Sequence, residues 1–441
     1  MKKADSKFEH GSGRCEYNVS YLERTDIDCS TTDAFSTCNC LEDINIRAVI
    51  LFQIDTVNNV AKYLSCKEYD YLMNNVYSVL TKVLGEEVTI VKFGSNKYSL
   101  ATDEYSKIEH LIWKINSIKE QPFNVSGNEI YLDFWFGSSS TKLRHDNEFS
   151  QLLDDAKVAL YEARRRQHKH VHFSQSLRDD HDNRNKAYSK LKSAVTNCQF
   201  IPYFQPIIDL NSGLIVGVES LARWDDPDRG IVAPFEFIPL AEENGLIDLI
   251  GLSIFRKSLL WYQYNYDSII NVENFSIHIN VSTRQLMNAN FSYDVKAILD
   301  ELNYGYRNIC FEITESISME SKQAIDTLFK LHEIGIQFSL DDFGTGYSSF
   351  SYLRDIKFSS LKIDRSFVTS DNEELLRAMI TMGRALGCKV IAEGVESQEQ
   401  CDLLMELDCN MAQGFLFSRP LSSSDIMSFI KRNDSYVKIS D

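Results

Sequence analysis

The stretch 339–349 reads Ser339-Leu340-Asp341-Asp342-Phe343-Gly344-Thr345-Gly346-Tyr347-Ser348-Ser349. An apolar run, two adjacent carboxylates and a glycine-rich turn follow one another without a gap. A carboxylate just past a β-rich run is costly to bury unless it is paired or bound to a cation. The same arrangement recurs on both sides. Upstream stand Glu219 in 218–224 (VESLARW), Asn280 in 277–282 (IHINVS), and Glu312 with Glu315 in 311–316 (FEITES). Downstream stand Lys362 in 361–367 (LKIDRSF), Glu393 in 391–396 (IAEGVE) and Gln413 in 411–415 (MAQGF). Each ends its own apolar run, which predicts strand ends converging on one site. Oxygen ligands with a lone lysine suit a hard divalent cation and an anionic substrate.

Working outward, candidate strands fall at 201–208, 215–223, 276–281, 309–314, 337–341, 360–363, 389–392 and 411–416. Apolar residues at helical spacing separate them, as in 234–245 (PFEFIPLAEENG), 253–265 (SIFRKSLLWYQYN), 292–303 (SYDVKAILDELN), 322–335, 373–387 and 398–408. Eight strands with intervening helices over about 250 residues match a (β/α)8-type barrel. Catalytic groups of such barrels come from the C-terminal ends of several strands, where the polar motifs fall.

A second α/β domain precedes the barrel. The run 46–55 (IRAVILFQID) has the pattern of a buried strand, and 69–85 has apolar residues at helical spacing. Two strands around a turn (88–102), a helix (108–119), a strand (129–139) and a helix (149–166) follow. Residues 44–173 thus form one domain with a central sheet. Residues 1–43 are polar and read as a mobile extension, 174–185 (SQSLRDDHDNRN) as a charge-dense linker, 186–432 as the barrel domain and 433–441 as a tail.

The formal net charge of −17 excludes a general nucleic-acid-binding surface, which would be basic, so an anionic substrate must be met locally. No apolar run approaches the ~18–20 residues of a transmembrane helix. The first eighteen residues hold no apolar core of the secretory kind, and a cytoplasmic protein without membrane insertion is expected. Cys66, Cys198, Cys310 and Cys388 lie in or beside apolar runs and read as buried thiols. Cys15, Cys29, Cys38 and Cys40 lack the paired spacing of a zinc site. His168, His170 and His172 follow a basic helix end and read as solvated linker residues, and the aromatic residues of 259–267 read as barrel packing.

Residues 186 to about 432 resemble an EAL domain, the family of phosphodiesterases that linearise cyclic di-GMP to pGpG. The signature triplet stands as Glu219-Ser220-Leu221 within ESLARW, a Ser-for-Ala variant. YFQPIIDL (203–210), DDFGTGYSSFSYL (341–353), LKIDRSFV (361–368), AEGVES (392–397) and QGFLFSRP (413–420) resemble further blocks of the family, in its order. Residues 44–173 resemble a degenerate GGDEF (diguanylate cyclase) domain. DDAKVALYEARRR (154–166) is similar to that family's final helix, and Gly94-Ser95-Asn96-Lys97-Tyr98 occupies its signature position.

A phosphodiester is a poor electrophile because its anionic oxygens repel a nucleophile. Two divalent ions ~3.5–4 Å apart cancel that charge, acidify water and stabilise the leaving oxygen. The acidic and amide residues supply enough ligands for two. The resemblance implies two Mg²⁺ or Mn²⁺ ions, with Glu219, Asn280, Glu312 and Asp341 on the first, Asp341 bridging to the second, and Asp342 and Glu393 alongside. It implies that Lys362 positions or deprotonates the attacking water and that Glu393 is catalytic. Glu315 would hold the loop after Asp342, and Gln205, Leu221, Arg223 and Gln413 would contact substrate. Plainer readings compete. Glu219 and Arg223 share a strand face and are able to form a structural pair, and Asp341-Asp342 is able to cap a turn.

In the first domain, Lys97 places a cation where cyclase chemistry needs a carboxylate. Gln53 stands where the resembled family has a metal-ligating Asp, although Asp55 is kept. Cyclase activity is not expected, while partner binding or pairing remains open to the domain. Two functions of different class follow. One is a metal-dependent cyclic di-GMP phosphodiesterase acting in signalling that affects motility and biofilm formation, a homodimer with a silent, regulatory first domain. The other is a non-catalytic receptor or scaffold. Receptors are expected to lose metal ligands, the lysine or the Asp-Phe-Gly loop, and none is lost here.

Overall fold

The computed structural model describes residues 46–56, 64–85, 88–141, 149–269, 275–305, 308–314, 321–345, 357–370 and 372–432. The extension 1–43, the tail 433–441, Glu315 and most of the glycine-rich turn after Thr345 lie outside these residues. The chain divides between Ala187 and Tyr188 into two compact units.

The first unit holds a five-stranded sheet. Its strands are β1 (Ala48–Thr56), β2 (Thr89–Lys92), β3 (Lys97–Thr102), β6 (Leu132–Ser140) and β7 (His170–His172), in the order β2-β3-β1-β6-β7. The strands β4 (Phe123–Val125) and β5 (Asn128–Ile130) form a separate hairpin. Alternation along β1 decides the layering. Ala48, Ile50, Phe52 and Ile54 pack with the helices Cys66–Leu84 and Ile108–Asn116, whereas Val49 and Leu51 pack with the helix Phe149–Arg165.

Two local expectations are corrected here. The stretch 174–185, read as a charge-dense linker, is helical, because a single helix runs Gln175–Thr196. Its charges are placed at helical spacing: Gln175 Nε2 donates to Asp179 Oδ1 at 3.1 Å, and Arg178 meets the buried Asp155 at 2.6 Å. His170 and His172 are strand residues rather than solvated linker. They approach the two sides of the buried Ser138 hydroxyl at 2.7 and 2.9 Å, and β7 pairs in parallel with β6.

In the second unit eight strands close into a barrel. They are β8 (Phe200–Asp209), β9 (Ile215–Asp226), β11 (Ser276–Asn280), β12 (Ile309–Thr314), β13 (Gln337–Phe343), β14 (Ser360–Ile363), β15 (Lys389–Ala392) and β16 (Met411–Ala412). They run in sequence order, β16 pairs back onto β8, and the short β10 (Gly230–Val232) extends β9 as a hairpin. Seven strands follow a parallel ladder, but β8 is antiparallel to both neighbours. The reason is local. Only residues 210–214 join β8 to β9, and a parallel connection needs a crossover of a dozen residues or more. Asp209 builds the hairpin turn instead, its Oδ1 accepting from the backbone N–H of Asn211 and Ser212. The last strand is shorter than expected, because the chain turns at Gly414, whose carbonyl accepts from the Phe417 and Ser418 N–H groups.

Period-two alternation divides the barrel strands. Ile277, Ile279, Phe311, Ile313, Phe338, Leu340, Leu361 and Ile363 pack with Val295, Leu328, Ile380 and Leu404 of the surrounding helices in one apolar cluster. The alternate set is polar and faces the barrel interior: Ser276, His278, Asn280, Glu312, Ser339, Asp341, Ser360 and Lys362. Burying each outer Leu, Ile or Phe stabilises the fold by ~1.5–3 kcal/mol. That cluster carries the cost of an interior lined with polar groups.

Candidate active site

Lys362 is the third of four residues in β14, its side chain is 1% exposed, and four carboxylates surround it. Its Nζ lies 2.5 Å from Glu393 Oε1, 2.9 Å from Glu312 Oε1, 3.3 Å from Glu219 Oε2 and 3.6 Å from Asp341 Oδ1. The last distance is an ion pair rather than a hydrogen bond. Each acid comes from a different strand, or from the residue after one, and in-register pairing sets them at similar depth. Asn280 faces Glu312 across β11–β12, and Thr314 faces Asp341 across β12–β13.

Glu219 is held from both sides. Asn280 Nδ2 donates to its Oε1 at 2.6 Å and Gln413 Nε2 to its Oε2 at 2.7 Å. Gln413 also reaches Gln205 Oε1 at 3.2 Å, and Gln205 donates to the Ser418 carbonyl. Arg223 is not its partner: the guanidinium donates to the Ala222 carbonyl and lies 5.5 Å from the Tyr203 ring. Leu221 lines a cavity of about 1210 Å³ together with Glu219, Asn280 and Thr314. Gln205, Arg223 and Gln413 are not part of that lining, and neither are Glu312, Asp341, Asp342, Lys362 and Glu393. The structure thus brings Glu219, Asn280, Glu312, Asp341, Asp342, Lys362, Glu393, Gln205 and Gln413 together, and Arg223 lies near enough to interact with the Glu219 charge.

Adjacent strand residues ordinarily point to opposite faces, yet Asp341, Asp342 and Glu393 offer carboxylate oxygens within 4.8 Å of one another. A register shift between Leu340 and Phe343 makes this possible. Asp342 sits there at φ +53°, a left-handed conformation that Asp tolerates better than most side chains. The turn that follows is closed by the Asp342 backbone carbonyl, which accepts from the Thr345 N–H and hydroxyl. Among the described residues this closure uses the Asp342 backbone carbonyl and not its carboxylate.

The cluster is unbalanced in charge, with five carboxylates around one ammonium. Burial raises Lys362's cost of ionisation, but Asp341, Glu219, Glu312 and Glu393 more than offset it and push its pKa well above the ordinary lysine value. Burial likewise pushes Glu219 up, while Lys362, Gln413 and Asn280 hold it below the usual range. Burial, with Glu219 beside it, raises Glu312 well above its usual value. Burial also raises Asp342, with Asp341 adding, and pushes Glu393 up to about 8. Glu312 Oε2 and Asp341 Oδ1 are buried without a hydrogen-bond partner among the described residues. Orphaned acidic oxygens at this density fit oxygen-ligated divalent cations.

One participant escaped the sequence reading. His278 Nδ1 lies 2.9 Å from Glu312 Oε1, and its Nε2 3.0 Å from Ser276 Oγ. The signal was present in the alternation Ser276-x-His278-x-Asn280, which places all three on one strand face.

The family model described as "EAL domain" matches residues 189–420 of this chain. The chain belongs to the EAL domain family. The match takes in every barrel strand and every acid gathered around Lys362. The chain is 28% identical over 404 residues to cyclic di-GMP phosphodiesterase NbdA of Pseudomonas aeruginosa, covering 89% of this chain and 51% of NbdA. Among solved structures, the PaMucR phosphodiesterase in its c-di-GMP complex is similar to the EAL barrel, with a TM-score of 0.52 and 34% identity over 55% of this chain and 99% of that one. EAL enzyme Bd1971, in its cAMP- and cyclic-di-GMP-bound form, is similar with a TM-score of 0.56 and 26% identity over 78% of this chain and 92% of that one. The chain spans about half the length of the curated relatives it matches. Among the described residues, no helix is long and apolar enough to cross a membrane.

Proposed function

We propose that this chain hydrolyses cyclic di-GMP to linear pGpG with divalent cations, and so lowers a second messenger governing motility and biofilm formation. The observation that carries the reading is the ring of Glu219, Glu312, Asp341 and Glu393 around the buried Lys362. NbdA is named as a cyclic di-GMP phosphodiesterase, and the PaMucR barrel holds c-di-GMP. Glu219, Asn280, Glu312, Asp341, Asp342 and Glu393 would hold Mg²⁺ or Mn²⁺, most simply two ions per site. When bound, such ions offset phosphate charge and acidify water.

The chain's own residues supply position and charge. Lys362, set among these four carboxylates, positions or deprotonates the attacking water. Glu393, 2.5 Å from Lys362 Nζ, is assigned a catalytic role beside the cations. Asn280 and Gln413 fix both oxygens of Glu219. Leu221 lies at the cavity where a base would rest, and Gln205 and Arg223 are assigned to the substrate's periphery. Glu315 keeps its proposed role of holding the loop after Asp342.

The first unit is proposed to be a degenerate GGDEF domain that is catalytically silent and regulatory. Gly94–Tyr98 forms the turn into β3, where Lys97 pairs in register with Gln53. Arg164 donates to Gln53 Oε1 at 3.1 Å, and Trp135 Nε1 to Asp55 Oδ2 at 2.7 Å. Side chains at the former catalytic position are thus engaged with one another, which supports loss of cyclase chemistry. A cytoplasmic location and a homodimer belong to the same proposal. Incubating the purified chain with cyclic di-GMP and Mg²⁺ or Mn²⁺ tests it directly. Appearance of pGpG is expected, and tight binding without turnover would favour the receptor reading.

A further inference from the structure

On β11 (Ser276–Asn280), the residues Ser276, His278 and Asn280 share the face turned toward the barrel interior. His278 is only 5% exposed, and both ring nitrogens are engaged. Nδ1 meets Glu312 Oε1 at 2.9 Å, and Nε2 meets the Ser276 hydroxyl at 3.0 Å. A carboxylate is an acceptor, so Nδ1 carries the proton and donates, which leaves Nε2 to accept from Ser276. Room for that hydroxyl depends on the neighbouring strand: a Cβ at Gly217 would stand 2.8 Å from Ser276 Oγ. The three residues Ser276, His278 and Glu312 therefore form one directed chain of hydrogen bonds.

That chain has a consequence for Glu312. Its Oε1 is engaged by His278 and by Lys362 at the same 2.9 Å. Its Oε2 is buried and receives no hydrogen bond from a side-chain or backbone donor among the described residues, with the Glu219 carboxyl as its close neighbour. A carboxylate gripped through one oxygen presents the other in a fixed direction, as the outer partners of metal ligands do elsewhere. Lys362 cannot do this alone, because it is shared among four carboxylates.

We propose that His278, braced by Ser276, is a positioning residue that holds Glu312 so that its free oxygen faces a divalent cation. The inference rests on the phosphodiesterase reading of this site, and it adds a determinant of cation affinity outside the ligand set. On this reading His278 acts through Glu312 and not on the substrate or the attacking water.

The test is Mn²⁺ binding to the purified full chain, followed by calorimetry or by the loss of the free-ion signal in electron paramagnetic resonance. His278→Leu removes the donor, and its Mn²⁺ affinity is expected to fall about 10- to 100-fold, the range for lost outer partners of metal ligands. His278→Asn keeps a donor at the Nδ1 position and is expected to restore most of that affinity. Unchanged affinity in the Leu variant, or Asn no better than Leu, overturns the inference and assigns His278 to packing. If the Leu variant does not fold, Ser276→Ala decides: weaker Mn²⁺ binding supports the proposal and unchanged binding overturns it. A wild-type chain that binds Mn²⁺ without hydrolysing cyclic di-GMP overturns the phosphodiesterase reading alone. Unchanged affinity in the Leu variant of a hydrolytic chain overturns this inference alone, and a wild type that binds no Mn²⁺ overturns both.

Discussion

Lys362 Nζ and Glu393 Oε1 stand 2.5 Å apart, the closest of the four ion pairs through which one ammonium ties β14 to the acids of its neighbours. Breaking a buried pair by removing one partner typically costs about 3–5 kcal/mol, because the remaining charge is left uncompensated. Lys362→Met should therefore lower the melting temperature of chelator-treated protein at pH 8. The loss should shrink on acidification to pH 5, where the crowded acids take up protons. Turnover should drop while the KM for cyclic di-GMP changes little. A raised KM with normal turnover at saturation would make Lys362 a phosphate clamp instead.

Glu219 is held by Asn280 and Gln413 in a single orientation, and its loss removes a ligand rather than a fold element. Glu219→Ala should reduce hydrolysis by at least about 100-fold, at or beyond the upper end of the range for outer-partner losses. Circular dichroism should remain that of the parent. Parental kinetics would remove Glu219 from the ligand set.

Cation binding should release protons at neutral pH. The folded Glu393 carboxyl, at about 8 against an ordinary 4.5, is raised, so its contribution to stability is full below the unfolded value and is lost as pH rises through about 8. A cation that takes Glu393 as ligand must expel its proton. Calorimetry of Mg²⁺ binding at pH 7 in two buffers of different ionisation enthalpy should give different apparent heats. Equal heats would leave no proton to expel. By the same linkage, Mg²⁺ affinity should rise between pH 6 and pH 8.

Exhaustive chelation should stop hydrolysis, and Mg²⁺ or Mn²⁺ should restore it. Ca²⁺ prefers longer bonds and more ligands, so it should restore little. Retention of full activity after chelation would rule out the cation chemistry altogether.

The first unit should make no cyclic di-GMP from GTP, since the proposed GGDEF resemblance puts Lys97 where a carboxylate is required. A fragment starting near Asn185 keeps Leu191 and Ala194, which pack with Phe200, Trp224 and Phe237, and it should fold. Its rate or oligomeric state should differ from that of the whole chain. Identical kinetics and assembly would deny the first unit a regulatory role in the purified protein, and cyclase activity would overturn the reading of Lys97.

The sequence by itself determined the eight barrel strands and the acids they carry. Period-two alternation is written residue by residue, and 309–314, 360–363 and 389–392 coincide with β12, β14 and β15. The antiparallel first strand was also implicit in a connection too short for a crossover. Tertiary structure alone decided how the groups are shared. Nothing local in Leu340-Asp341-Asp342-Phe343 announces the register shift that turns two consecutive carboxylates to one side, because it arises from pairing with β14. Nor does the sequence say that Glu312 spends one oxygen on His278 and Lys362, or that Gln413 serves Glu219. Those are contacts between strands distant in sequence, and only closure of the barrel brings their side chains within hydrogen-bonding distance.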